Sequence, residues 1–167
     1  MVDKLREAGL IDQARHLTRK LADRTLAAWH EYRLLAAENK WQEAEKKLID
    51  IEKMGDADWT AKAENSRAWV YRERLHDYDK AITLYRQIAN PPETLWHIQE
   101  CYRRWGKLDS AITTLSEIEN SFPDDAAKAA WRKAELYKSV GENKQAISVA
   151  RRILKVYPES GESSKAH

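Results

Sequence analysis

Proline and glycine, the residues that most often interrupt regular structure, are scarce in this sequence. The 167 residues include 5 Gly and 4 Pro, whereas average usage of roughly 7% Gly and 5% Pro would give about 20. The first proline is Pro91. A fold of many short strands needs turn residues often. The scarcity therefore argues against such a fold and favours long helices joined by short loops.

Other absences exclude whole classes of protein. The single cysteine, Cys101, permits no intramolecular disulfide and no cysteine-based metal site. No apolar run reaches the length of a membrane span, and residues 1–6 lack the apolar core of a signal peptide. The 29 basic and 27 acidic residues are interspersed, without the basic stripe of a nucleic-acid binder. We expect no membrane insertion within this chain and no nucleic-acid partner. The compartment stays open, with the cytoplasm slightly favoured over the periplasm.

Motifs that carry catalysis or bind cofactors are also missing. The sequence has no glycine-rich phosphate loop, no Gly-x-Ser-x-Gly and no His-Glu-x-x-His. Its histidines are widely spaced, and His76-Asp77-x-Asp79 falls in an expected turn, where Asp commonly makes local hydrogen bonds. We therefore expect no enzyme, no cofactor and no metal site. Cys101 is expected to be a small buried core residue.

What the sequence does contain is an internal repeat. An alanine recurs in similar surroundings at intervals of 30, 37, 30 and 35 residues. Mostly apolar residues follow it four and seven positions later, which is the spacing of one helix face. We call these the marker alanines: Ala14, Ala44, Ala81, Ala111 and Ala146.

Another helix precedes each marker alanine, so that every repeat has a first and a second helix. Five landmarks keep one common shift of 35 residues: Tyr102, Gly106, Ala111, Ile118 and Pro123 correspond to Tyr137, Gly141, Ala146, Ile153 and Pro158. Glycines are expected to end first helices. The pattern predicts helices near 11–22, 25–38, 41–53, 58–75, 78–89, 92–104, 108–120, 125–139 and 143–156.

This arrangement resembles the tetratricopeptide repeat, a helix-turn-helix unit of about 34 residues with an Ala-x3-aromatic element and a closing proline. The resemblance implies an all-α, right-handed α-solenoid of about four to five repeats, forming one domain over 1–167. The expected repeats cover approximately 1–22, 25–53, 58–89, 92–122 and 125–157. Gly9 ends a helix of about half the usual length, and 163–167 resembles the start of a further helix. We therefore expect a fragment of a longer repeat protein.

The seven tryptophans are the most informative candidates for binding. Trp29, Trp96 and Trp131 each lie 15 residues before a marker alanine and so share one register. In the family that the chain resembles, first helices line a concave groove, and this register directs the indoles toward the groove or its edge. Packing within or between repeats is the alternative interpretation. Trp41 and Trp105, beside the turns, are expected to be structural, and so is Trp59, near a helix start.

The predicted function is a protein-interaction scaffold whose groove binds a peptide or a helix of a partner. The expected contacts are the groove tryptophans and neighbouring charged residues: Trp29, Arg33, Trp69, Arg72, Trp96, Glu100, Arg103, Trp131 and Glu135. For the charges, a solvated helix face is the alternative. The family's carboxylate clamp is not found, since Trp occupies the place of its first Lys.

Two alternative functions remain open at this point. The chain is either a self-assembling or spacer repeat domain without a peptide ligand, forming a homo-oligomer through uncapped ends, or the recruiting arm of a larger enzyme.

Overall fold

A computed structural model describes residues 1–165. Of residues 163–167, which were predicted to start a further helix, Ala166 and His167 lie outside the described residues. Contacts divide the chain into two compact parts, which we call the N-terminal half, Met1–Ile88, and the C-terminal half, Ala89–His167.

Each half is built of antiparallel helix pairs, and the described residues contain no strand. The helices of the N-terminal half are α1 Val2–Glu7, α2 Ile11–Thr18, α3 Arg24–Ala37, α4 Trp41–Lys53, α5 Ala57–Val70 and α6 Tyr78–Ile88. Those of the C-terminal half are α7 Glu93–Arg104, α8 Leu108–Ser121, α9 Pro123–Ser139, α10 Asn143–Val156 and the short α11 Gly161–Lys165. The predicted all-α repeat fold is confirmed.

Three helices differ from their predicted bounds by more than one residue. Helix α2 ends at Thr18 rather than near residue 22. Helix α9 begins at Pro123 rather than 125, because proline is well tolerated in the first helical turn. The long helix predicted for 58–75 is α5 followed by a π-helical turn, Tyr71–Leu75.

The turn between the two helices of each repeat has one recurring geometry. A residue with positive φ stands five positions before every marker alanine, and these residues are Gly9, Asn39, His76, Gly106 and Gly141. In four of the five turns the next N–H donates a 2.9 Å hydrogen bond to a carbonyl five residues earlier, as in a Schellman helix end. After the π-helical turn the donor Asp77 instead reaches six residues back, to Tyr71 at 3.0 Å. The predicted role of the three glycines is confirmed, and Asn39 and His76 take the same role without being glycine.

The marker alanines lie where second helices meet their neighbours. Ala14, Ala44, Ala81 and Ala111 are completely buried, so at these positions a larger side chain would separate the helices. Ala146 is only half-buried, because less of α10 is covered. In the C-terminal half the core combines Ala111, Leu115 and Ile118 of α8 with Ala129 and Leu136 of α9. First and second helices therefore share one core in that half.

Candidate binding clefts

In the C-terminal half a cleft with a volume of about 700 Å³ lies between the first helices α7 and α9. We call it the C-cleft. Residues spaced three and four apart lie on one face of a helix, and one such stripe from each helix forms the walls. The lining residues are Trp96, Gln99, Glu100, Arg103, Leu108, Lys128, Arg132, Glu135, Leu136 and Ser139.

Trp96 is the aromatic wall of the C-cleft. Its half-buried indole packs against the core of this half and also lines the cleft. Groove lining and packing within the repeat each therefore account for part of the environment of Trp96. Its Nε1 is buried and has no hydrogen-bond partner among the described residues. The Nζ of Lys128, from α9, lies 4.6 Å from the ring centroid, within the range of a cation–π interaction.

Glu100 and two arginines form a charged fork on the same helix. Arg103 donates to the Glu100 carboxylate through Nε at 2.7 Å and through Nη2 at 2.6 Å. Arg104 Nε donates to it at 2.7 Å. The hydrogen bond from Arg103 is the largest of the effects that lower the pKa of Glu100 to about 2, against the opposing effect of burial. The carboxylate therefore stays ionised at any physiological pH.

Trp131 does not line the C-cleft, although it shares the register of Trp96. It lines a second, mostly apolar cavity of about 750 Å³ between α9 and α10, which we call the end groove. Among the described residues, Glu135 and Ser139 alone line both cavities. In the end groove Ile147 is 52% exposed, and Lys165 lies at its edge. The groove contacts predicted for this half are thus distributed over two cavities.

The N-terminal half has a smaller cleft of about 390 Å³, the N-cleft, which brings together three of the four candidate residues of this half. Trp29, Arg33 and Trp69 line it with Arg6, Tyr32, Ala36, Ala37, Trp41 and Ser66. Arg33 Nη1 lies 2.6 Å from Asp3 Oδ1. Arg72 is not among the lining residues, because its guanidinium bonds Glu73 at 2.9 Å and lies 5.7 Å from the ring of Tyr85 on α6.

Two tryptophan pairs in the N-terminal half each hold a cation. Lys62 Nζ lies 4.3 Å from the Trp29 ring and 4.6 Å from the Trp59 ring. The Arg74 guanidinium lies 4.7 Å from the Trp41 ring and 5.3 Å from the Trp69 ring. Trp59 and Trp41 are thus packed in this half's core, but they also contribute to cation sites. Lys62, Arg74 and Lys128 were not among the predicted contacts, because no motif or repeat landmark in the sequence marks them.

The other residues singled out in the sequence have structural roles. Cys101 is buried in α7, as predicted. Asp77 caps α6 by accepting from the Lys80 N–H at 3.2 Å, which agrees with the local hydrogen bonding predicted for that turn. Trp105 is 38% exposed beside its turn, with Lys107 Nζ at 3.4 Å from its ring.

In the stretch from Met1 to Lys165, no cluster of three or more His, Cys, Asp or Glu side chains could hold a metal ion. Over the same stretch, no helix combines the length and the hydropathy needed to cross a membrane.

Helix pairs closed by one recurring left-handed turn, with clefts on the first helices, define a helix-turn-helix repeat protein. Residues 128–160, from α9 through α10, match the family model of the tetratricopeptide repeat. The resemblance seen in the sequence is therefore confirmed. No curated protein matches the chain significantly.

Solved structures with this fold extend the comparison over nearly the whole chain. MamA from Desulfovibrio magneticus RS-1 aligns with a TM-score of 0.64 at 13% identity, covering 96% of this chain and 93% of that one. BtubC from P. vanneervenii has a TM-score of 0.63 at 14% identity, with 94% and 77% covered. YrrB, described as a TPR protein with an unusual peptide-binding site, has a TM-score of 0.59 at 14% identity, with 99% and 87% covered. At these identities the likeness establishes the fold.

Proposed function

We propose that the chain is a protein-interaction scaffold and that its C-cleft binds a peptide or helical segment of a partner. The observation that supports this most directly is Trp96, whose indole lines an open cleft while its buried Nε1 has no partner among the described residues. Binding energy at interfaces is concentrated in a few aromatic and arginine side chains within partly enclosed pockets. The C-cleft contains one side chain of each kind, Trp96 and Arg103.

The size and lining of the C-cleft suit a segment of a few residues. Its volume of about 700 Å³ falls within the range of roughly 300–1,000 Å³ that is typical of ligand pockets. Apolar contact is available from Leu108 and Leu136, and directional hydrogen bonding from the charged residues of both helices. Tetratricopeptide proteins commonly act as interaction scaffolds, and YrrB, of similar fold, is described as having a peptide-binding site.

The test is selection of peptides on the chain itself. A library of random 15-residue peptides displayed on phage is selected on the wild-type chain, and the enriched peptides are synthesised for affinity measurement. We expect Trp96→Ala to weaken them by about 30-fold, the effect of losing an aromatic anchor worth about 2 kcal/mol. Helicity measured by circular dichroism should stay nearly unchanged.

The matched control is Trp105→Ala, which removes an indole from the same half outside the C-cleft. It should leave the peptide affinities within about twofold, because Trp105 lies outside the lining of the cleft. The double variant of Trp96 and Trp131 measures whether the end groove adds to the site. Enrichment of no peptide, or equal losses in the Trp96 and Trp105 variants, would refute the proposal.

A second candidate function is self-association through the end groove. It is favoured by the apolar exposure of α10, where Ile147 and Val156 are each 52% exposed and Ala146 lacks the complete burial of the other marker alanines. Sedimentation velocity from 1 to 300 µM should then show a concentration-dependent dimer that Ile147→Glu abolishes. The exposed Thr113→Glu on α8 is the control for added charge. A wild-type chain that stays monomeric throughout excludes this function.

A further inference from the structure

Arg74, in the N-terminal half, is held in place by two indoles without being neutralised. It is exposed, and its guanidinium carbon lies 4.7 Å from the centroid of the Trp41 ring and 5.3 Å from that of the Trp69 ring. No described carboxylate lies within ion-pair distance of Arg74. An indole has a hydrogen-bond donor and no lone-pair acceptor. The N–H donors of this guanidinium are therefore ordered and still available to a ligand.

Carboxylates next to Arg74 in the chain, and one turn after Trp41 on α4, are already bonded to other groups. The pairs are Glu73 with Arg72 at 2.9 Å, Asp77 with Lys80 at 2.8 Å, and Glu45 with the Tyr71 hydroxyl at 2.8 Å. The protein thus supplies counter-ions and donors for its neighbours, and a carboxylate for Arg74 has to come from outside the described residues.

The π-helical turn Tyr71–Leu75 places Arg74 in this position. Trp69 and Arg74 are five residues apart, and the wider π turn, with its hydrogen bonds between residues five apart, brings that spacing onto one face. An α-helix would instead place a residue three or four positions after Trp69 there. Turns of this kind occur frequently at functional sites.

The two indoles also form part of the N-cleft, so that Arg74 lies beside an aromatic cavity. Trp41 and Trp69 line the cleft, whose volume is about 390 Å³, at the lower end of the roughly 300–1,000 Å³ typical of ligand pockets. The lining residue Arg33 is matched by Asp3, since its Nη1 lies 2.6 Å from Asp3 Oδ1. The cleft therefore has room for an apolar side chain, and the unmatched cation is at its edge.

We propose that Arg74 and the N-cleft bind an acidic segment of a partner protein, at a second site separate from the C-cleft. The guanidinium holds one Glu or Asp side-chain carboxylate through two parallel hydrogen bonds, and an apolar residue beside that carboxylate packs against Trp41 and Trp69. Bidentate pairs between arginine and a carboxylate are among the strong hydrogen bonds. The indoles reduce the ordering that Arg74 must undergo on binding.

The same contacts disfavour a nucleic acid as the ligand. Non-specific binders of single strands stack bases on exposed aromatic rings. Here Arg74 lies over the rings of Trp41 and Trp69, and Lys62 lies 4.3 Å from the Trp29 centroid. The rings that line the N-cleft are thus already in contact with cations, which attract anionic side chains.

The test uses a fluorescein-labelled, C-terminally amidated 9-residue peptide of leucine, alanine and glutamate, and a counterpart with glutamine in place of glutamate. Amidation removes the terminal carboxylate, so the comparison measures side-chain carboxylates alone. Fluorescence anisotropy is measured with the whole chain at 50 and 300 mM salt. We expect the glutamate peptide to bind about tenfold more tightly at 50 mM salt. Its affinity should fall at 300 mM, because salt screens exposed charges.

Two substitutions of Arg74 separate its geometry from its charge. Arg74→Gln should weaken the glutamate peptide by about fivefold or more. Arg74→Lys keeps the charge but forms no two parallel hydrogen bonds, and it should still weaken the peptide by about threefold. Circular dichroism should stay unchanged in both variants. The control is Arg19→Gln, which removes the same charge from an exposed position after α2, outside the lining of the N-cleft, and should change the affinity by less than twofold.

Equal affinities of the two peptides, no binding up to 1 mM, or equal losses in the Arg19 and Arg74 variants would overturn the inference. Full retention of affinity by Arg74→Lys would show that the assigned bidentate contact is wrong. A 9-residue oligouridylate that binds more tightly than the glutamate peptide, with the same dependence on Arg74, would identify a site for phosphate instead.

The outcome is distinguishable from that of the proposed function at the C-cleft. Trp96→Ala should leave the affinity for the glutamate peptide unchanged. If Trp96→Ala abolishes its binding while Arg74→Gln has no effect, the peptide occupies the C-cleft, and the inference about Arg74 fails while the proposed function stands. If phage-selected peptides ignore Trp96 but the glutamate peptide depends on Arg74, the proposed function of the C-cleft fails and the inference stands.

Discussion

Replacing Glu119 with glutamine is expected to lower the free energy of unfolding by about 3 kcal/mol, because it leaves the partly buried ammonium of Lys133 without its counter-ion. Only 4% of the Glu119 side chain is exposed. Lys133 Nζ of α9 lies 3.3 Å from its carboxylate, the Tyr157 hydroxyl donates to it at 3.3 Å, and Arg152 of α10 forms an ion pair with it. One carboxylate of α8 therefore joins α9 to α10 and to Tyr157, the residue that follows α10. Glutamine keeps the shape but cannot offset the charge of Lys133, whose side chain is 13% exposed.

Urea denaturation followed by circular dichroism measures the loss, with Glu117→Gln as the control. Glu117 stands on the same helix and is exposed, so its replacement should change stability by less than about 0.5 kcal/mol. Lys133→Met, combined with Glu119→Leu, should recover much of the loss, because replacing both buried partners by apolar groups is often nearly neutral. Similar effects of the two glutamate variants would show that the Glu119 cluster contributes little.

The architecture was predictable because the turn and the marker alanine recur together. Gly9, Gly106 and Gly141 are visible in the sequence as helix ends, since glycine adopts positive φ without steric cost. Asn39 and His76 have the same positive φ but are not marked by residue type. Their distance of five residues from the next marker alanine is a signal that could have identified them.

The candidate site was predictable only in part, because contacts on one helix depend on which helix covers it. Trp96 and Trp131 are equivalent in sequence. The lysine of α9 lies over Trp96, and no described lysine lies over Trp131. Arg72 was expected to line the groove, and instead it lies against Tyr85 while Arg74 takes the place beside Trp41 and Trp69. A π-helical turn over Tyr71–Leu75 adds a residue to the turn, which an ideal helical period does not anticipate.

The same dependence on covering helices predicts a large difference between two apolar residues of second helices. Leu115 on α8 is completely buried in the core formed with α9. Ile147 on α10 is 52% exposed. Leu115→Ala should lower the free energy of unfolding by about 3–4 kcal/mol, since it removes buried methyl groups and leaves a cavity. Ile147→Ala should cost less than about 1 kcal/mol, because much of the side chain is already in contact with water.

Urea denaturation of the two alanine variants at 5 µM measures their free energies of unfolding and tests whether the loss follows the burial of the replaced side chain. Self-association contributes less at 5 µM than at 300 µM, so a difference of at least 2 kcal/mol that persists at 5 µM is assigned to packing within one chain. If the chain self-associates, the loss of unfolding free energy at 300 µM should be larger for Ile147→Ala and unchanged for Leu115→Ala. Equal losses at 5 µM would mean that α10 is covered as completely as α8. A loss for Ile147→Ala that grows with concentration would instead identify the covering surface as a second copy of the chain.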